Sequence, residues 1–141
     1  MKSDNLPIWY KGVYLNEAVE RFTVGNDNLM DEHIMQFDVM GTIAHVRMLQ
    51  SVGLLTNEEL AALERELRVM FRRMQNNDFV IEKGVEDVHS QVELILTRRL
   101  GDTGKKVHSG RSRNDQVLVD VRMFIRQKIE ELVKTVGRLF D

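Results

Sequence analysis

The sequence contains no cysteine and a single proline among its 141 residues. The first absence excludes disulfides and thiolate metal centres and accords with a reducing compartment. The second, with only nine glycines, leaves few chain breakers and argues for long helices over a turn-rich β fold. No apolar run approaches the roughly 18 residues of a membrane-spanning helix, and residues 1–7 lack the apolar stretch of a secretory signal. The net charge of −2 supplies no global field toward nucleic acid or a membrane surface. There is no strand–GxGxxG–helix unit, no P-loop, no internal repeat and no low-complexity tract, and His33, His45, His89 and His108 lack a zinc-ligand spacing. What remains, 43% hydrophobic and 30% charged, is the composition of an ordinary cytoplasmic globular protein long enough to bury a core.

The patterning is helical from about Asp31 onward. Residues 1–27 show only short apolar clusters, at 8–10 and 13–15, which read as an irregular arm packed on something else. Ile34, Phe37, Gly41, Ala44, Met48 and Val52 then recur at steps of three and four, one face of a helix that Gly53 would stop. Gly41 and Ala44 on that face predict close approach by a neighbouring helix. Thr56 and Glu59 form a capping box ahead of Leu60, Leu63, Leu67, Met70 and Met74. A shorter helix covers about 86–100, with Val88, Val92, Ile95 and Leu96 inward and Gly101 as terminator. The last helix starts near Asn114 and presents Val117, Val121, Ile125, Ile129, Leu132, Val136 and Leu139. A helix of this length needs a partner along its length, so its distal half is expected to lie bare in a lone chain. Either the chain self-associates through residues 121–140 or it is the front of a longer protein; the helical pattern running uncapped to Asp141 favours the second.

Residues 105–117 carry the chemistry. They combine Lys105, Lys106, Arg111 and Arg113 with His108, two hydroxyls, an amide and Gly110, and they end where the amphipathic helix begins. A helix N-terminus offers unpaired N–H groups and partial positive charge, and arginine forks bind carboxylate or phosphate bidentately, so an anion receptor is expected. The plainer alternative is a solvated basic loop in which Ser112 or Asn114 caps the helix. A phosphate-binding module for nucleic acid is a third reading, weakened by the lack of interleaved aromatics and by the net charge.

Three segments resemble the argininosuccinate lyase family of the fumarase/aspartase superfamily. They are Glu86-Asp87-Val88-His89-Ser90, Leu100-Gly101-Asp102-Thr103-Gly104-Lys105-Lys106, and His108-Ser109-Gly110-Arg111-Ser112-Arg113-Asn114-Asp115-Gln116-Val117. The resemblance covers about residues 20–141. It implies an all-α homotetramer whose long helices share a central bundle, with residues 1–112 as an N-terminal helical domain and 113–141 as the start of the bundle. It also implies active sites built from three subunits and a cofactor-free, metal-free reaction that splits argininosuccinate into arginine and fumarate. A base removes a proton beside a carboxylate, the carbanion is held as an aci-carboxylate, and the C–N bond breaks with proton donation. Dense anion recognition is the physical demand of such chemistry.

Carried over residue by residue, the resemblance makes Ser112, Arg113, Asn114, Gln116 and His89 substrate-binding, with Arg113 on a carboxylate and Asn114 donating from its amide. His108 either senses substrate charge or is a plain loop residue. Members often carry a substrate-contacting serine where this chain has Asn26-Asp27-Asn28, so Asp27 or Asn28 is the candidate there, Asp27 addressing the cationic end of the substrate. An Ile8-Trp9-Tyr10-Lys11-Gly12 segment replaces the usual arm, and Ser109 stands where threonine is common. No complete acid–base pair is nominated; the catalytic groups are expected beyond residue 141. Partners are a small-molecule substrate and further copies of the chain, with neither nucleic acid nor membrane. Another lyase of the superfamily, or an inactive crystallin-like member, would share these features.

Overall fold

The computed structural model describes residues 27–82 and 84–140, together with Phe22 and Gly25. The expected N-terminal arm and the side chain of Asp27 lie outside the described residues. Every described element is helical, which makes the fold all-α as its few breakers predict. The order is α1 (Asp27–Asp31), α2 (Met35–Ser51), α3 (Asn57–Gln75), α4 (Val88–Leu100), the short α5 (Asp102–Lys105) running into a 3-10 turn (Lys106–His108), and α6 (Arg113–Phe140). No helix among the described residues is long and apolar enough to cross a membrane.

α3 forms where its sequence places it. The Thr56 hydroxyl accepts from the Glu59 amide at 3.2 Å, and the Thr56 amide donates to Glu59 Oε2 at 2.9 Å. Behind this box Leu63, Leu67, Met70 and Met74 are buried and Leu60 partly so, each contributing roughly 1.5–3 kcal/mol when fully covered. α4 is capped by Asp87, whose Oδ1 accepts from the Ser90 amide at 2.6 Å, and buries Val88, Val92 and Leu96. It ends at Gly101, whose φ of 59° and ψ of −128° suit a residue without Cβ. Three residues on, α5 folds back on α4 so closely that a Cβ on Gly104 would lie 2.3 Å from the Leu96 carbonyl oxygen.

The inward face of α2 is not the expected one. Met35, Val39, Val46 and Leu49 are buried, with Asp38 and Thr42 among them, whereas Ala44, Met48 and Val52 face solvent. α2 is apolar around most of its circumference, so spacing alone left two faces open, and the buried one was disguised by two polar residues. Gly41 does face a neighbouring helix, α6, but a Cβ there would meet Asp120 at an ordinary 3.5 Å.

α6 departs from expectation in a related way. It packs on α2 through its N-terminal half, where the buried residues are Gln116 and Asp120; Val117 and Val121 are only half-buried. Phe124 closes this contact edge-on to Phe37, ring centroids 6.2 Å apart. Ile125, Ile129, Leu132, Val136 and Leu139 lie between 43% and 81% exposed, so the distal stripe is bare as its length predicted.

Candidate functional site

α6 begins because Ser112 caps it. Ser112 Oγ accepts from the Asp115 amide at 3.2 Å and donates to Asp115 Oδ2 at 2.9 Å, while the Ser112 amide reaches the same carboxylate at 3.3 Å. This reciprocal arrangement satisfies donors a helix start leaves open and sets a carboxylate against the positive end of the dipole. Of the two candidate caps, Ser112 fills the role, and Asn114 is exposed in the first turn.

The same turn aims Arg113 back toward α4. Nη1 donates to Gln116 Oε1 and Nη2 to Ser90 Oγ, both at 3.2 Å, and Nε lies 3.5 Å from Asp87 Oδ2. The side chain is still 36% exposed, so the guanidinium is fixed on three sides and presents an open edge to solvent. Arg111 turns the other way. Its Nη2 donates to the buried Thr42 hydroxyl at 3.3 Å, and its Nε is buried without a hydrogen-bond partner. Burial pulls its pKa down, opposed by the nearby charges of Asp38 and Asp120. The other two cations leave the site. Lys105 pairs with Asp102 at 2.7 Å and Lys106 with Glu59 at 2.6 Å, which splits the basic segment instead of gathering it on one face.

Beneath the arginines lies a buried polar cluster from three helices. Asp38 of α2, His89 of α4 and Asp120 of α6 are 0%, 3% and 1% exposed. His89 Nδ1 donates to Asp38 Oδ1 at 2.9 Å, and Gln116 Nε2 donates to the same oxygen. Burial alone would lower the pKa of His89, but its hydrogen bond to Asp38 and the charges of Asp38 and Asp87 outweigh it and hold the ring above its ordinary value. Burial, reinforced by the charge of Asp38, pushes Asp120 up to about 7. The three residues can bring one ligand atom each within 4.8 Å of one another. The donor set argues against a cation there: His89 Nδ1 is already spent on Asp38, Arg111 adds positive charge, and protons are available to balance the carboxylates.

Around these groups Thr42, Val107, His108 and Glu93 close a narrow crevice that also touches His89, Arg111, Arg113 and Gln116. His108 is half-exposed, and burial, with Arg113 and Arg111 adding to it against the pull of Glu93, lowers its pKa. His45 Nε2 donates to the Ser109 carbonyl at 3.0 Å and ties the loop down onto α2. Of the residues singled out by sequence, Arg113, Gln116 and His89 therefore converge on one crevice, and Ser112 and Asn114 sit on the solvent side of the helix start. His89 is a buried, hydrogen-bonded residue. Asp38, Thr42 and Asp120 were not foreseen. The available signal was their spacing: Asp38 with Thr42, and Gln116 with Asp120, are polar pairs four apart, each pair on one face of its helix.

Comparison with known proteins agrees with this picture. Residues 14–141 match a protein family described as Lyase. The chain is 56% identical over 133 residues to the argininosuccinate lyase of Bacteroides thetaiotaomicron, covering 94% of this chain and 30% of that protein. It is 57% identical over 133 residues to the argininosuccinate lyase of Bacteroides fragilis, with the same coverage. With the Thermotoga neapolitana argininosuccinate lyase it shares 40% over 137 residues, 95% of this chain and 34% of that one. The chain thus spans about a third of the length of these curated relatives. With a match that runs through all of the described helices, the chain belongs to this lyase family.

Proposed function

We propose that this chain supplies substrate-binding groups to an argininosuccinate lyase, which splits argininosuccinate into arginine and fumarate by cofactor-free elimination in arginine biosynthesis. The observation that carries the reading is the placement of Arg113: a guanidinium fixed at the start of α6 with one edge open, in a chain whose relatives bear that name. The substrate has several carboxylates, and negative charge builds on one of them when the adjacent proton is removed. A fixed guanidinium at a helix N-terminus favours that build-up without reorganising.

Arg113 is assigned to a substrate carboxylate, with Asn114, exposed beside it, donating to the same end of the molecule, and with Ser112 joining it once its hydroxyl turns from Asp115. Asp27 is assigned to the cationic end. Gln116 and His89 serve the site from beneath. The acid and base are assigned to positions beyond residue 141. On the same reading residues 1–112 form an N-terminal helical domain and 113–141 open a central bundle, in which the bare α6 stripe meets equivalent helices of a cytoplasmic homotetramer.

The test is the Arg113→Ala variant of the whole protein, assayed by the ultraviolet absorbance of released fumarate. A loss of about 1.5–3 kcal/mol of transition-state stabilisation is expected, read as a ten- to hundredfold fall in kcat/KM. Unchanged kcat/KM for argininosuccinate would overturn the assignment.

A further inference from the structure

We propose that Asp38 is a positioning residue for Arg113, acting through the side-chain amide of Gln116. Gln116 is 5% exposed and stands between the two: its Nε2 donates to Asp38 Oδ1 and its Oε1 accepts from Arg113 Nη1. An amide has one donor end and one acceptor end, and a carboxylate can only accept. Asp38 therefore decides which way the amide faces. With its NH2 group drawn inward, Gln116 has no choice but to show its carbonyl to the guanidinium.

Asp38 is itself held. It lies on α2 at 0% exposure, and the same Oδ1 accepts from His89 Nδ1 at 2.9 Å, so a residue of α4 fixes the carboxylate that fixes the amide. The second grip on Arg113, from Ser90, also comes from α4. Two of the three helices around the cluster thus aim one surface guanidinium, through the buried Asp38, His89 and Gln116 and the half-buried Ser90. The importance of that aim for substrate rests on the reading of Arg113 given above; the aim itself does not.

The relay predicts a specific failure. In Asp38→Asn the new side chain presents an NH2 group as well as a carbonyl, so the Gln116 amide can turn over and set a donor against a donor at Arg113. Arg113 is observed directly through its 15N guanidinium resonances in the full chain. In the unmodified protein its Nη1 signals are expected to be resolved by hindered rotation. They should collapse to an exchange average in Asp38→Asn and in Gln116→Met, which keeps length and removes both polar atoms. Gln116→Met also serves if Asp38→Asn does not fold. In whole-protein assays each variant should lose about tenfold in kcat/KM, and the double variant no more than the worse single. Resolved Nη1 signals in either folded variant, or losses that multiply in the double variant, would overturn the relay. Collapsed signals with normal turnover in Arg113→Ala would instead leave the relay standing and remove Arg113 from the substrate.

Discussion

Gln116 and Asp38, 78 positions apart in the chain, are joined by a hydrogen bond at the centre of the packed structure. The bond crosses from α6 to α2, and no apolar side chain of α6 is as deeply buried as Gln116 and Asp120, its neighbour one turn on. The first turns of α6 are thus seated by polar contacts. Such a seat is directional and intolerant, because each buried group that loses its partner costs roughly 1–3 kcal/mol. Oδ2 of Asp38 and Oδ2 of Asp120 are already without a hydrogen bond. A proton on Asp120 relieves part of that burden.

Stability should therefore depend on pH through this cluster. Asp120 moves from 3.8 unfolded to about 7 folded, so the native chain holds a proton that the unfolded chain releases. Stability falls as pH rises through that window. His89, raised, works in the same sense: its contribution is full below 6.5 and is lost as pH climbs through the folded value. His45 and His108, lowered chiefly by burial, work in the opposite sense. Asp120→Asn isolates the carboxylate. Thermal melts of variant and parent should differ least below pH 4, and the variant's lead should grow steadily to roughly 2–4 kcal/mol by pH 8. A constant difference across that range would show that Asp120 does not titrate on unfolding.

Gly104→Ala is expected to be costly even though the residue is small and the change conservative. The new Cβ would lie 2.3 Å from the Leu96 carbonyl oxygen, and a backbone atom cannot swing aside as a side-chain tip can. A loss of about 1–3 kcal/mol in denaturant unfolding is the expected outcome. A neutral effect would mean that α5 packs less tightly on α4.

Thr56→Ala removes the hydroxyl that receives the Glu59 amide and should cost about 1 kcal/mol. The Lys106 ammonium holds Glu59 Oε1 at 2.6 Å, and Lys106→Ala should cost much less than Thr56→Ala, because water still screens that half-buried pair. Equal losses from the two variants would sink the capping account.

The bare stripe of α6 should drive association. Ile125, Ile129 and Leu132 are about half exposed or more, and soluble monomers rarely leave so continuous an apolar strip in water. Light scattering of the full chain should give a mass above one copy, and Ile129→Glu with Leu132→Glu should reduce it or unfold the chain. A monomeric mass for the unmodified chain at full helicity would contradict this.

How far the sequence could be read depended on how sharply each helix separates its faces. α3 has one apolar stripe and one charged face, so Leu63 and Leu67 were placed correctly along with the capping box. α2 has apolar residues nearly all round, and the choice of Phe37, Ala44 and Met48 missed the buried Met35–Val39–Val46 line because Asp38 and Thr42 lay on it. The same trap caught α6, where Gln116 and Asp120 took the buried place expected of Val117 and Val121. Arg113 and Ser112 were legible from residue type and helix start. The long-range contacts were not, since no local pattern shows that Arg113 meets Ser90 or that Asp38 meets Gln116.

Arg113 reaches solvent with three of its contacts already filled, by Gln116, Ser90 and Asp87. Any anion that arrives is therefore judged by exchange: it must offer more than the water on the open edge without disturbing the protein's own acceptors. On the reading proposed above, a planar, fully charged carboxylate presented in line with that edge would pass easily, whereas a bulky or misdirected anion would first have to displace the 3.5 Å contact to Asp87. Discrimination of this kind would be built in before any ligand arrives, at the expense of raw affinity.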